Sequence, residues 1–215
     1  MYVTVKWRRG GIPTERDIID AAAAGWSSRK DQNCLEIFEN SSYGDSVAFL
    51  KRLIGWNHTS VLEHIIFKFH INLSVACAAQ HKAHRWASYT QKSFRIARNF
   101  SVSRDINSLY IIPPQITKED LEEWISDSLN HIIAYNKWLK KGYSLDVARF
   151  HLHQGLATNL AVTINARSLR NVFSMRLDKH AMFEFIDLCK QMIELIKENN
   201  LYFLFKDIVE GADIE

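Results

Sequence analysis

The sequence predicts an α+β protein, mainly helical with one small sheet, and three observations carry that prediction. Apolar residues recur at helical spacing in long stretches, above all Met182, Phe185, Ile186, Cys189, Met192, Ile193 and Ile196. One segment, Ile65 to Leu73, instead alternates apolar and polar residues as a half-buried strand does. The 215 residues are 47% hydrophobic, and no Ser/Gly/Pro-rich stretch divides them, so residues 1–215 read as a single domain with an ample core.

In chain order, Met1 to Arg9 alternates a little and then turns basic, without an apolar run of the length a signal peptide or membrane span requires. A cytoplasmic protein without a membrane partner is expected. Thr14 to Gly25 reads as a short helix whose alanine cluster permits close packing, with Gly25 as its stop. Gly44 to Ile54 reads as a second, started by Asp45 or Ser46 and carrying Val47, Leu50, Leu53 and Ile54. In the strand that follows, Phe67, Phe69, Ile71 and Leu73 share one side, and Ile66 interrupts the polar one. From Val75 to about Trp86 the pattern is helical, and Ser88 to Arg98, basic and short of core residues, reads as a loop.

After Pro113 and Pro114, Thr117 opens a capping-box-like TKED run. A long amphipathic helix through Leu121, Trp124, Ile125, Leu129, Ile132 and Ile133 follows, ending near Gly142. Ser144 caps a further helix in this reading, ahead of the Met182–Ile196 stretch. The three cysteines, Cys34, Cys77 and Cys189, lack C-x-x-C spacing, so neither a disulfide framework nor a metal site is expected. Cys77 and Cys189 sit in apolar surroundings, and Cys34 has no neighbouring histidine to lower its pKa, which argues against a thiol nucleophile. A net charge of +3 is too small to announce nucleic acid but suits a phosphate-bearing partner if arginines converge.

The densest chemistry lies in HKAHRWASYTQKSFRIAR, residues 81–98, where histidines, lysines, arginines and serines interleave with Trp86, Tyr89 and Phe94. Guanidinium forks bind phosphate oxygens and aromatic rings stack on bases, although a solvated basic loop has the same composition. Spacing decides. Ala83-His84-Arg85-Trp86-Ala87-Ser88-Tyr89-Thr90-Gln91-Lys92-Ser93-Phe94-Arg95 resembles the signature R-H-R-x-x-S-x-N-E-x-S-x-R of the flavin-dependent thymidylate synthases. Two flanking blocks are similar to the family as well: His58-Thr59-Ser60-Val61-Leu62-Glu63-His64, and Asn165-Ala166-Arg167-Ser168-Leu169-Arg170-Asn171 ahead of Met175-Arg176.

The resemblance covers roughly Ala21 onward and implies a mainly helical α+β domain with a small antiparallel sheet, assembled as a homotetramer. It implies FAD as cofactor, NADPH and methylenetetrahydrofolate as co-substrates, and C5 methylation of deoxyuridine monophosphate to thymidylate. Gln80, Ser93, Arg95 and Arg149 match nucleotide-holding positions, and Arg176 matches the arginine that polarises the uracil. His58, His84, Arg85, Asn165, Arg167 and Asn171 match flavin or folate contacts. Each has a structural alternative: His58, Asn165 and Asn171 suit helix caps or bridges, and Arg167 suits a surface ion pair.

The chain departs from the pattern at Ala83, Thr90 and Gln91, which replace Arg, Asn and Glu. Ile96 stands where a tyrosine often follows, and His153 where a proline is common. Substitutions on the cofactor side leave open a related C5 alkylation of a uracil nucleotide, such as hydroxymethylation, or use of a ribonucleotide. A binding module that holds nucleotide or RNA without chemistry is the alternative from another class.

Overall fold

The computed structural model describes residues 3–28, 31–94 and 109–212. The elements run β1 (Thr4–Trp7), α1 (Glu15–Ser27), α2 (Cys34–Asn40), α3 (Tyr43–Gly55), a 3-10 turn (Ser60–His64), β2 (Ile66–Ser74), α4 (Val75–Lys82) and β3 (Ala87–Gln91). They continue as α5 (Leu121–Lys140), α6 (Leu145–Ala148), a 3-10 turn (Arg149–His151), β4 (Ala157–Asn165), α7 (Ala166–Arg176), α8 (Phe183–Glu198), a 3-10 turn (Tyr202–Leu204) and α9 (Lys206–Glu210). The strands form one antiparallel sheet in the order β1-β2-β4-β3. The α+β class expected from the sequence is therefore observed. No described helix is long and apolar enough to cross a membrane.

Side-chain caps start several of the helices. Thr14 and Asp17 form a reciprocal capping box on α1, Ser42 accepts from the Asp45 N–H at the start of α3, and Ser74 accepts from the Cys77 N–H at the start of α4. The cap of α3 is thus Ser42 rather than Asp45 or Ser46. Gly25 is not the stop of α1 but lies buried inside it, and α1 runs on to Ser27. A Cβ there would stand 3.0 Å from Phe49 Cε1 and 3.1 Å from Val61 Cγ1, so the glycine serves helix packing. The TKED run caps as expected locally, Thr117 Oγ1 accepting from the Asp120 N–H, but α5 begins at Leu121.

Three strands lie where none was expected. β1 is four residues long, too short for its alternation to stand out. In β4, Thr158, Leu160, Val162 and Ile164 are buried in strict alternation, a period-2 signal that the leading threonine and the following Asn165-Ala166-Arg167 motif obscure. β3 overturns part of the Ser88–Arg98 loop. It has no fully buried residue and ends the sheet order, so pairing rather than an apolar face holds it. Arg95, Ile96 and Arg98 lie outside the described residues.

The chain falls into two compact units, residues 1–4, 71–83 and 90–161, and residues 5–70, 84–89 and 162–215. The core of the first gathers Leu109, Tyr110, Ile132, Tyr135, Ala148 and Leu156. In the second, α1 packs on α2 and α3. Phe205 meets Phe67 and Phe173 edge-on at 5.6 and 5.3 Å, and Trp7 stacks on Phe69 at 4.7 Å.

Candidate active site

In the second unit, α7 is the scaffold. Asn165 caps it by accepting from the Ser168 N–H at 2.8 Å, and the Ala166 N–H donates to the Ile65 carbonyl. Arg170, buried, grips Asp207 with two hydrogen bonds of 2.8 and 2.6 Å and donates to the Leu204 carbonyl. Arg170 holds the Asp207 carboxyl below its ordinary pKa. With Arg170 so committed, the helix presents Arg167 and Asn171, one turn apart, and Arg176 at its end.

Arg167 and Asn171 line a cavity of about 390 Å³ with Glu63, Trp86 and Ser168. Arg167 also lines a second, of about 310 Å³, with His58, Asn57 and Ser60. Its Nη1 pairs with Glu63 Oε1 at 2.5 Å, and Asn171 Nδ2 lies 3.6 Å from Met175 Sδ. Trp86 is 78% exposed, so its indole stands open to a stacking partner.

His84 and Arg176 meet: Arg176 Nε donates to His84 Nε2 at 3.1 Å. The ring must then carry its neutral-state proton on Nδ1. Burial first and Arg176 second hold the His84 pKa below its ordinary value. Phe185 meets the His84 ring edge-on, and its face lies 5.0 Å from the Arg176 guanidinium carbon. The Tyr89 hydroxyl donates to the His84 carbonyl at 2.9 Å, and burial pushes that phenol up to about 12. Arg85 projects outward, exposed.

In the first unit, Ser93 and Arg149 line one cavity of about 530 Å³ with Gln91, Lys92, Phe94, Phe150, His153 and Gln154, among others. Two cations and no carboxylate stand in this lining among the described residues. Arg149 keeps a loose 3.4 Å pair with Asp146, and Phe150 is 85% exposed. Gln80 lies on α4, its Oε1 buried without a hydrogen-bond partner among the described residues. Gln91 accepts from Lys82 Nζ at 2.6 Å and donates to Thr158 Oγ1 at 3.4 Å.

Lys92, Phe150, His153 and Gln154 of this cavity were not among the residues assigned to the site from the sequence. The signal available for three of them was the polar density of Arg149-Phe150-His151-Leu152-His153-Gln154 between a helix and a strand. Glu63 carries no local signal of its role, since its pairing with Arg167 needs a contact across 104 positions.

Comparison with known proteins shows the family. The family described as thymidylate synthase complementing protein matches residues 13–199. A flavin-dependent thymidylate synthase of Pyrococcus abyssi is 35% identical over 187 residues, 85% of this chain and 75% of its own length. One of Pyrococcus horikoshii is 33% identical over 193 residues, 88% of this chain and 74% of its own. A crystal structure of the flavin-dependent thymidylate synthase of Helicobacter pylori, complexed with FAD and dUMP, superposes with a TM-score of 0.72 at 25% identity. That match covers 97% of this chain and 100% of the other. The relatives that the chain matches are enzymes. The chain belongs to the flavin-dependent thymidylate synthase family.

Proposed function

We propose that this protein is a flavin-dependent thymidylate synthase that methylates C5 of deoxyuridine monophosphate, taking the carbon from methylenetetrahydrofolate and reducing power from NADPH. The observation that carries this reading is the cavity of about 530 Å³ that brings Ser93 and Arg149 together without a carboxylate in its described lining. Such a site favours a phosphate monoester, and its size lies in the range of small-molecule pockets. Gln80 and Arg95 are assigned to this nucleotide side by the family resemblance of their positions.

FAD suits the residues of the second unit. A guanidinium, an amide and an exposed indole line one cavity, and His58 shares Arg167 in the next. His58, Arg85, Arg167 and Asn171 hold the cofactor or the folate, Asn165 caps the helix that carries Arg167 and Asn171, and His84 fixes Arg176. When bound, the flavin supplies hydride chemistry that spares the protein a covalent nucleophile. Arg176 places a fixed positive charge where negative charge grows on the uracil oxygens, so its interaction strengthens along the reaction. Cys77 and Cys189 are buried, and burial pushes the Cys189 thiol pKa up, which suits a mechanism without a thiolate.

We read residues 1–215 as one functional domain, supported by a single family match across residues 13–199. A homotetramer in the cytoplasm is the proposed state; Trp86 and Phe150, exposed at cavity walls, suit cover by another copy. Adding FAD and then deoxyuridine monophosphate to purified protein tests the reading. Retained visible flavin absorption, with nucleotide binding that Arg149→Ala weakens while flavin stays bound, is expected. Protein that holds neither ligand contradicts it.

A further inference from the structure

We propose that His153 is a positioning residue of the nucleotide cavity, its neutral imidazole clamping the 153–156 turn that forms one cavity wall and anchors the start of α4. The role rests on the nucleotide reading above, while the clamp itself stands on geometry. His153 Nδ1 accepts from the Gly155 N–H at 3.0 Å, so its proton sits on Nε2, which donates to Ser128 Oγ at 3.3 Å. One ring face stacks on Tyr110 at 4.4 Å and 12°, and Trp124 and His131 meet it edge-on at 6.3 and 4.9 Å. Gly155 leaves room for this arrangement, because a Cβ there would stand 2.7 Å from His153 Cε1.

The clamped turn reaches the site by two routes. His153 and Gln154 line the cavity beside Arg149 and Ser93. The Leu156 and Gln154 carbonyls accept from the Val75 and Ala76 N–H groups at 3.0 and 3.1 Å, satisfying first-turn donors of α4, the helix that carries Gln80. The Gly155 carbonyl meanwhile accepts from the Ile111 N–H at 3.0 Å, tying the turn to the strand-like segment at Tyr110.

Protonating Nδ1 would set a donor against the Gly155 N–H donor and open the clamp. Among the described residues, the titratable groups that meet the ring are Tyr110 and His131. Tyr110 gives its hydroxyl to the Ser128 carbonyl, and burial pushes its pKa up to about 12, so it stays neutral. His131 comes from α5 with its Nδ1 3.0 Å from the His151 carbonyl, and its charge opposes a second one on His153. Burial, the larger cause, and His131 both hold the His153 pKa below its ordinary value, so the clamp is closed at neutral pH.

The test measures the dissociation constant of deoxyuridine monophosphate at about pH 7.5 and about pH 5.5 for wild type, His153→Asn and His153→Ala. Asparagine at 153 retains an acceptor for the N–H two residues on, as in an Asx turn, but does not titrate. The nucleotide phosphate titrates near pH 6 in every variant alike, so differences between variants are the readout. His153→Ala should bind about tenfold more weakly at the higher pH, with His153→Asn close to wild type. On acidification to about pH 5.5 wild type should lose a few-fold more affinity than His153→Asn, and less than about tenfold because the imidazole pKa is held below its ordinary value. His153→Ala binding as wild type does at both pH values, or His153→Asn showing the full acid loss of wild type, overturns the proposal. Wild type that binds no nucleotide at the higher pH fails the functional reading instead. The Gly155 amide resonance then decides the clamp: a shift that follows imidazole titration supports it, and a pH-independent one overturns it.

Discussion

Arg176 and His84 form a hydrogen-bonded pair, Arg176 Nε to His84 Nε2 at 3.1 Å, between residues 92 positions apart in the chain. A protonated His84 has no lone pair to accept this bond, so the pair requires a neutral ring and fixes where the guanidinium points.

Arg176→Ala should therefore show two effects. The His84 pKa should rise, because one of the two causes of its depression is removed, and proton NMR of the ring reads it directly. The catalytic rate constant should fall by about 100- to 1000-fold with little change in nucleotide affinity, as for groups that act on charge developing in the transition state.

Arg149→Ala should do the opposite. Losing a charge-assisted phosphate contact costs about 1.5 to 3 kcal/mol, hence about a 10- to 100-fold rise in the nucleotide dissociation constant. Calorimetric titration with deoxyuridine monophosphate measures it.

Stability should fall with acid from about pH 6.5 downward. His84 and His153 both have folded pKa values held below the ordinary 6.5, so the unfolded chain takes up protons first as pH falls. Their contribution is complete above about pH 6.5 and is lost as pH falls through their lower folded values. Asp207, also depressed, adds stability that is present above its ordinary 3.8 and lost only in stronger acid. Thermal melts across this range should show the first loss shrink in a His84→Asn, His153→Asn double variant.

Gly11→Ala should destabilise more than Gly25→Ala. A Cβ at residue 11 meets the Lys68 and Arg8 carbonyl oxygens at 2.3 and 2.7 Å, backbone atoms that cannot rotate away. At residue 25 the neighbours are side chains, and alanine gains about 1 kcal/mol of helix propensity against an overpacking cost of about 1 to 3 kcal/mol. Phe49 is stacked on Trp26 at 4.5 Å, which limits its retreat, so a small net loss is expected at residue 25. Urea unfolding compares the two.

What the sequence made legible were the elements whose cause is local. The Ile65–Leu73 alternation, the apolar stripe of α8 and the helix following Thr117 each state their period within a dozen residues. β3 escaped because its partner is β4, so the Lys92 N–H finds the Asn159 carbonyl only once the sheet has formed. Gly25 was misread because a helix-stop glycine and a helix-packing glycine look alike until Phe49, Val61 and Leu53 are placed around it. For the site, the family resemblance implied Ser93, Arg149, Arg167 and Asn171, and each lines a cavity. It could not name His153 as a working residue, since there the chain departs from its family and only the contacts to Gly155, Ser128 and Tyr110 show what the imidazole does.

The product of turnover decides between C5 methylation and its rivals. Purified protein with FAD is incubated with deoxyuridine monophosphate, methylenetetrahydrofolate and NADPH, and the nucleotide is identified by mass. Thymidylate is expected, formed equally well when Cys34 is replaced by serine and about 100- to 1000-fold more slowly with Arg176→Ala. A hydroxymethylated nucleotide, or unchanged deoxyuridine monophosphate from protein that binds both flavin and nucleotide, would contradict it.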